Sequence, residues 1–141
     1  MQDLWLGRLQ HRIASALRAM AAAKFHVEVH GDVAVLVQEG APLFDETTKA
    51  LAAVIATSLE IRSKKIIIDA RLSDLVNYYN YVVRHAELLP AIGLDGSFRS
   101  AIVGLPEQVP VMDFIVSVGG NRGWIVRRFV DLEEAKQWLR S

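Results

Sequence analysis

Four groups of residues in this chain are of types that do chemistry. His26-Val27-Glu28-Val29-His30 sets two imidazoles and a carboxylate on alternate positions, a metal-ligand composition. Asp69-Ala70-Arg71-Leu72-Ser73-Asp74 brings acids, a guanidinium and a hydroxyl close together, which suits anion binding or proton transfer. Tyr78, Tyr79 and Tyr81 have the makings of a ligand pocket. Gly119-Gly120-Asn121-Arg122-Gly123 has the composition of a phosphate-cradling loop. There is no cysteine, so thiolate chemistry and disulfides are excluded.

The elements that must carry these groups decide among them. Phe25, Val27 and Val29 alternate with His26, Glu28 and His30, the pattern of a half-buried strand. At roughly 3.3 Å per residue, His26 and His30 stand about 13 Å apart along it. Two zinc-bound imidazoles must each approach to about 2 Å, so the pair does not share one ion. This is expected to be a solvated strand face, and no metal or other cofactor is expected. The glycine cluster follows a helical pattern and precedes a strand-like run. A dinucleotide loop has the opposite order, so the cluster reads as a helix stop.

The stretch that organises the chain is Lys64-Lys65-Ile66-Ile67-Ile68-Asp69-Ala70-Arg71. A continuous apolar, β-branched run is a strand covered on both faces. It predicts a central strand of a parallel sheet, with Asp69, Arg71, Ser73 and Asp74 at its carboxyl end, where open α/β sheets place their sites. Phe25–His30, a Gly31-Asp32 turn and Val33–Val37 predict a hairpin before it. Asp45 reads as the N-cap of a helix running to about Glu60, with Leu51, Val54, Ile55 and Leu59 on its buried face. After the central strand, a helix over about Leu75–Leu89 has the stripe Leu75, Tyr79, Val82, Ala86 and Leu89. That stripe puts Tyr79 in the core and turns Tyr78 and Tyr81 toward water. Ser100–Leu105 and Trp124–Val130 are further strands. Pro110 opens the helix between them, and Asp131 caps the last helix, with Glu134 at capping-box spacing.

Asp3–Lys24 precedes all of this. Leu6, Leu9, Ile13, Leu17 and Met20 form one helical stripe, which predicts an amphipathic helix over residues 1–24 attached to a domain over 25–141. That stripe calls for a cover. Docking on the chain's own helices is one expectation, a homodimer a second and a membrane surface the weakest.

Composition narrows the class. The 141 residues are 52% hydrophobic and 23% charged, with 16 basic and 16 acidic residues. That length and balance fit one folded domain, and the zero net charge argues against a nucleic-acid partner. No apolar run reaches about 18 residues and no secretory leader is evident, so a cytoplasmic address is expected.

The C-terminal segment carries a resemblance. Arg127, Phe129, Asp131, Glu133, Glu134, Ala135, Trp138 and Leu139 fall in the run Arg-x-Phe-x-Asp-x-Glu-Glu-Ala-x-x-Trp-Leu. That run is similar to the closing strand and helix of bacterial stand-alone STAS-like proteins. STAS domains are the anti-sigma-factor-antagonist-like domains, with which lipid-binding Sec14-type domains are often grouped. The order of elements from Phe25 to Leu139 resembles theirs. The resemblance implies an α/β fold with a mostly parallel sheet of about five strands, helices on both sides and an N-terminal hairpin. It implies a non-enzymatic regulatory module that docks a protein through the loop and helix after Asp69. Asp69, Arg71, Ser73, Asp74, Asn77, Tyr78 and Tyr81 are the surface candidates. In the antagonist branch a phosphorylated serine stands near the start of that helix. Here Asn77 and Tyr78 occupy the position, and the Asp-Ser-Ser-Gly signature is missing, so no serine phospho-switch is expected. A pocket for a small apolar ligand or lipid beside the same helix is the alternative. No catalytic motif is present; were the chain an enzyme, Asp69 would be the residue to test, with Arg71 holding an anion.

Overall fold

The computed structural model of the chain describes residues 2–20 and 22–141. Its centre is a five-stranded sheet in the order β1-β2-β3-β4-β5. β1 (Lys24–His30) and β2 (Val33–Gly40) form the expected antiparallel hairpin, with His30 opposite Val33 and Gly31 at φ 64° in the turn. β3 (Lys65–Ser73), β4 (Arg99–Val103) and β5 (Ile125–Phe129) add on in parallel.

The crossovers are α2 (Phe44–Glu60), α3 (Tyr79–Leu88) and α4 (Val109–Asn121), and α5 (Leu132–Arg140) closes the chain. Because each strand is laid beside the one before it, right-handed connections bring α2, α3 and α4 to the same face. Alternation along β3 divides the core accordingly. Ile66, Ile68 and Ala70 face α2, α3 and α4, while Ile67 faces α5 together with Val35, Ala101 and Phe129. The Asp131 carboxylate accepts from the backbone N–H groups of Glu133 (2.8 Å) and Glu134 (3.2 Å), which is the cap its position predicts.

Three expectations are corrected. Asp45 is not a cap: α2 starts at Phe44, its N-cap is Leu43, and Asp45 places its charge in the first turn instead. Leu59, read as buried, is exposed at the last turn of α2. The helix after β3 opens with a 3-10 turn, Leu75–Tyr78. With three residues per turn rather than 3.6, the residue that follows Leu75 into the core is Tyr78, not Tyr79. Tyr78 is therefore buried and Tyr79 is exposed.

α1 (Gln2–Met20) lies against β2 and β3. Its expected span reached Lys24 and included Ala21, which is outside the described residues. The helix turns half-buried Gly7, Ala14 and Arg18 toward the body, and Arg18 reaches Glu107 at 3.7 Å. Its apolar stripe faces the other way: Leu6, Leu9, Ile13, Leu17 and Met20 are all exposed. The chain's own helices do not cover that stripe. Among the described residues, no helix is long and apolar enough to cross a membrane.

Candidate functional site

The carboxyl end of β3 divides the expected site between two faces. Asp69 and Arg71, two residues apart on one strand, project to the α5 side. The Arg71 guanidinium donates to both Asp69 carboxylate oxygens, from Nε at 2.9 Å and from Nη2 at 2.8 Å, and the Arg71 backbone N–H adds a third bond at 3.2 Å. The bond to Asp69 raises the Arg71 pKa further. A bidentate pair of this kind engages the groups that proton transfer or anion binding would need free.

Ser73 and Asp74 are buried where β2 and β3 end together. The Ser73 hydroxyl donates to the Gly40 carbonyl at 3.3 Å, and the Asp74 N–H donates to the same oxygen at 2.9 Å. Gln108, also buried, clamps this corner through its carboxamide, donating to the Ser73 carbonyl at 2.9 Å and accepting the Leu105 N–H at 2.7 Å. Asn77 is exposed and donates to the Asp74 carboxylate.

Tyr78 and half-buried Tyr81 belong to the opposite face. Tyr78 joins a buried network centred on His85, which is 2% exposed. The Tyr78 hydroxyl lies 2.7 Å from His85 Nδ1. On the other side of the ring, Nε2 lies 2.8 Å from Thr48 Oγ1 and 3.2 Å from the Phe44 carbonyl. Thr48 Oγ1 itself donates to that carbonyl at 2.8 Å. Its proton is thereby committed, so Thr48 accepts from Nε2–H. Nδ1 is then the acceptor, and Tyr78 donates to it. The imidazole is neutral, with its tautomer fixed by three partners. Phe44 stacks on the ring at 4.3 Å, with the Arg84 guanidinium 4.0 Å above the Phe44 face. Sequence reasoning did not single out His85. Its signal was the seven-residue step from Tyr78, which returns a helical residue to the same face.

Burial holds the His85 imidazole below its ordinary value of 6.5; the Phe44 carbonyl opposes this, and the Arg84 charge adds to it. The unfolded chain therefore takes up a proton near pH 6.5 that the folded chain refuses. Stability from this group is complete above that pH and is lost as pH falls toward the folded value. The melting temperature is expected to drop between pH 7 and pH 5, and His85→Gln to flatten that slope. A variant with the wild-type slope in thermal denaturation would assign the pH dependence elsewhere.

The inner face of α3 borders a cavity of about 100 Å³ between the sheet and α2, α3 and α4. Its wall is mostly aliphatic and includes Ile68, Val82, Ile102 and Ile115, with Tyr78, His85 and Thr47 among its few polar members.

The outer face of the same segment is apolar and uncovered. Val76, Tyr79 and Val83, at steps of three and four, are 47%, 41% and 45% exposed, and Leu72 just before them is exposed as well. The Tyr79 ring meets exposed Phe114 of α4 at 5.5 Å. Most of the residues expected at this surface are buried; the residues that present it are their neighbours.

The architecture built of these elements is similar to that of a solved structure. The chain superposes on the crystal structure of an anti-sigma factor antagonist from Mycobacterium paratuberculosis with a TM-score of 0.59. The match covers 85% of this chain and 96% of that one, at 16% sequence identity. The fold is STAS-like. At that identity the likeness concerns architecture alone. No protein-family model matches the STAS-like chain, and no curated protein matches it.

Proposed function

We propose that the chain is a non-enzymatic STAS-like regulatory module of the cytoplasm that docks a partner protein through the segment following Asp69. The observation that carries this reading is the uncovered stripe Val76, Tyr79 and Val83, extended onto α4 by Phe114. Contiguous exposed apolar surface marks interaction sites, and aromatic residues near its centre supply most of the binding energy. The ion-paired state of Asp69 and Arg71 fits a structural corner rather than a reaction centre. The module works without a serine phospho-switch: Asn77 and Tyr78 stand at the position the STAS resemblance assigns to it, and the nearby Ser73 hydroxyl is 2% exposed and bonded to Gly40.

The test is affinity capture from the cell that makes the protein, comparing wild type with the Tyr79→Ser/Val83→Asp double variant. Both positions are exposed, so the variant is expected to melt close to wild type. It should lose at least tenfold of the partner recovered by the wild type. Equal recovery of the same proteins by a folded variant would move the docking surface elsewhere.

A further inference from the structure

The cavity under α3 has its own chemistry, independent of the docking stripe on the outer face. Natural cores are close-packed, and a partly open cavity of this size is a departure from that packing. Its wall tells what would fill it. Among the described residues no Asp, Glu, Lys or Arg borders it, so a charged occupant would be buried without a counter-ion. Two oxygens of residues on its wall have capacity to spare. The Tyr78 hydroxyl spends its proton on His85 Nδ1 and keeps its lone pairs, which makes it an acceptor toward the cavity. Thr47 is 5% exposed, borders the cavity and, among the described residues, makes no side-chain hydrogen bond to protein, so its hydroxyl proton is free to be given to an occupant. It is the chain neighbour of Thr48, which bonds His85, which bonds Tyr78, so one short chain of contacts links the two residues. An occupant that satisfies both is mostly hydrocarbon, uncharged, and able both to donate and to accept. A hydroxyl does both; a ketone only accepts, and a hydrocarbon does neither.

We propose that this cavity is a binding site for a small neutral alcohol, with a short hydrocarbon body against Val82, Ile102 and Ile115 and its hydroxyl between Tyr78 and Thr47. The size is consistent with that class. An apolar cavity of about 150 Å³ holds a benzene molecule. One of about 100 Å³ suits a body of a few carbon atoms.

The probe is 1-butanol, titrated into the full chain carrying labelled Ile, Leu and Val methyls and followed by NMR. Saturable shifts are expected at Ile68, Ile102 and Ile115. Butyrate and butylammonium, the same chain with a charge, should bind at least tenfold more weakly. Ala86→Leu projects into the cavity from α3; it should abolish the butanol shifts and raise the melting temperature. Thr47→Val and Tyr78→Phe each remove one bond to the hydroxyl. Each should weaken butanol roughly three- to tenfold, the size of one hydrogen bond. Thr47→Val keeps the His85 network intact, so it remains decisive if Tyr78→Phe fails to fold. The proposal is overturned by an absence of saturable butanol shifts, or by equal binding of the three four-carbon probes. It is also overturned by a folded Ala86→Leu that binds like wild type, or by a Thr47→Val with undiminished butanol affinity.

Discussion

Replacing Ile67 with alanine is expected to cost roughly 2–5 kcal/mol and to lower the melting temperature by about 6–15 °C. Ile67 is 0% exposed at the middle of β3, with Val35 and Ala101 beside it on the flanking strands and Ala135 and Leu139 of α5 across from it. No flexible side chain or loop stands ready to close the space, because four of its neighbours are held by the sheet ladder or a capped helix. The loss therefore includes both the transfer energy of the missing methyl groups and the void they leave. Against a typical total of about 5–15 kcal/mol, that is a large fraction. Ile67→Val should cost only about 0.5–1.5 kcal/mol, and Leu72→Ala, at an exposed position of the same strand, within about 0.5 kcal/mol. An Ile67→Ala protein melting within a degree or two of wild type would mean that β3 is not the packed centre.

The residues that made β3 legible are the ones this prediction uses. Ile66-Ile67-Ile68 has no polar alternation, and the fold covers both its faces, with α5 on one and α2, α3 and α4 on the other. The cap at Asp131 was legible for a similar reason: a carboxylate two and three residues before free N–H groups is a local arrangement, complete within a few residues. Tertiary choices were not legible. Whether Tyr78 or Tyr79 enters the core depends on one turn being 3-10 instead of α, a matter of a few tens of degrees at a buried corner. The α1 stripe announced an amphipathic helix, but its small residues, Gly7 and Ala14, lie toward the body, and the stripe does not. The cavity had no signature at all. A void is the absence of a side chain in three dimensions, and the residues around it come from α2, α3, α4 and the sheet. The seven surface candidates were chosen for polarity. At the corner after β3 that polarity is mostly spent within the protein, and the exposed residues include the apolar Leu72, Val76 and Tyr79 between them.

That corner is held by one side chain, and Gln108→Ala is expected to cost roughly 3–5 kcal/mol. Gln108 is 1% exposed, and its carboxamide oxygen takes the Leu105 N–H while its nitrogen gives to the Ser73 carbonyl. Truncation leaves a half-buried donor and a buried acceptor without this partner, at about 1–3 kcal/mol each, and opens a hole beside Gly104. The consequence extends to function. Ser73 ends β3 just before α3 and Leu105 stands in the loop before α4, so the docking stripe and Phe114 should lose their alignment, and partner recovery should fall with stability. Gln108→Glu separates the hydrogen bonds from the packing, because it keeps the shape and exchanges the donor for a carboxylate oxygen facing the Ser73 carbonyl. Burial beside that carbonyl raises the new carboxyl above its ordinary value of about 4.3 in the folded state. A group raised on folding contributes stability that is complete below its unfolded value and lost as pH rises through its folded value. Relative to wild type, Gln108→Glu should therefore be close to normal near pH 4 and strongly destabilised at pH 7, where the wild-type amide does not titrate. Thermal denaturation of the three proteins at both pH values reads this directly. A Glu variant whose deficit is the same at pH 4 and pH 7 would show that Gln108 holds the corner by shape, and that the bond to Ser73 contributes nothing.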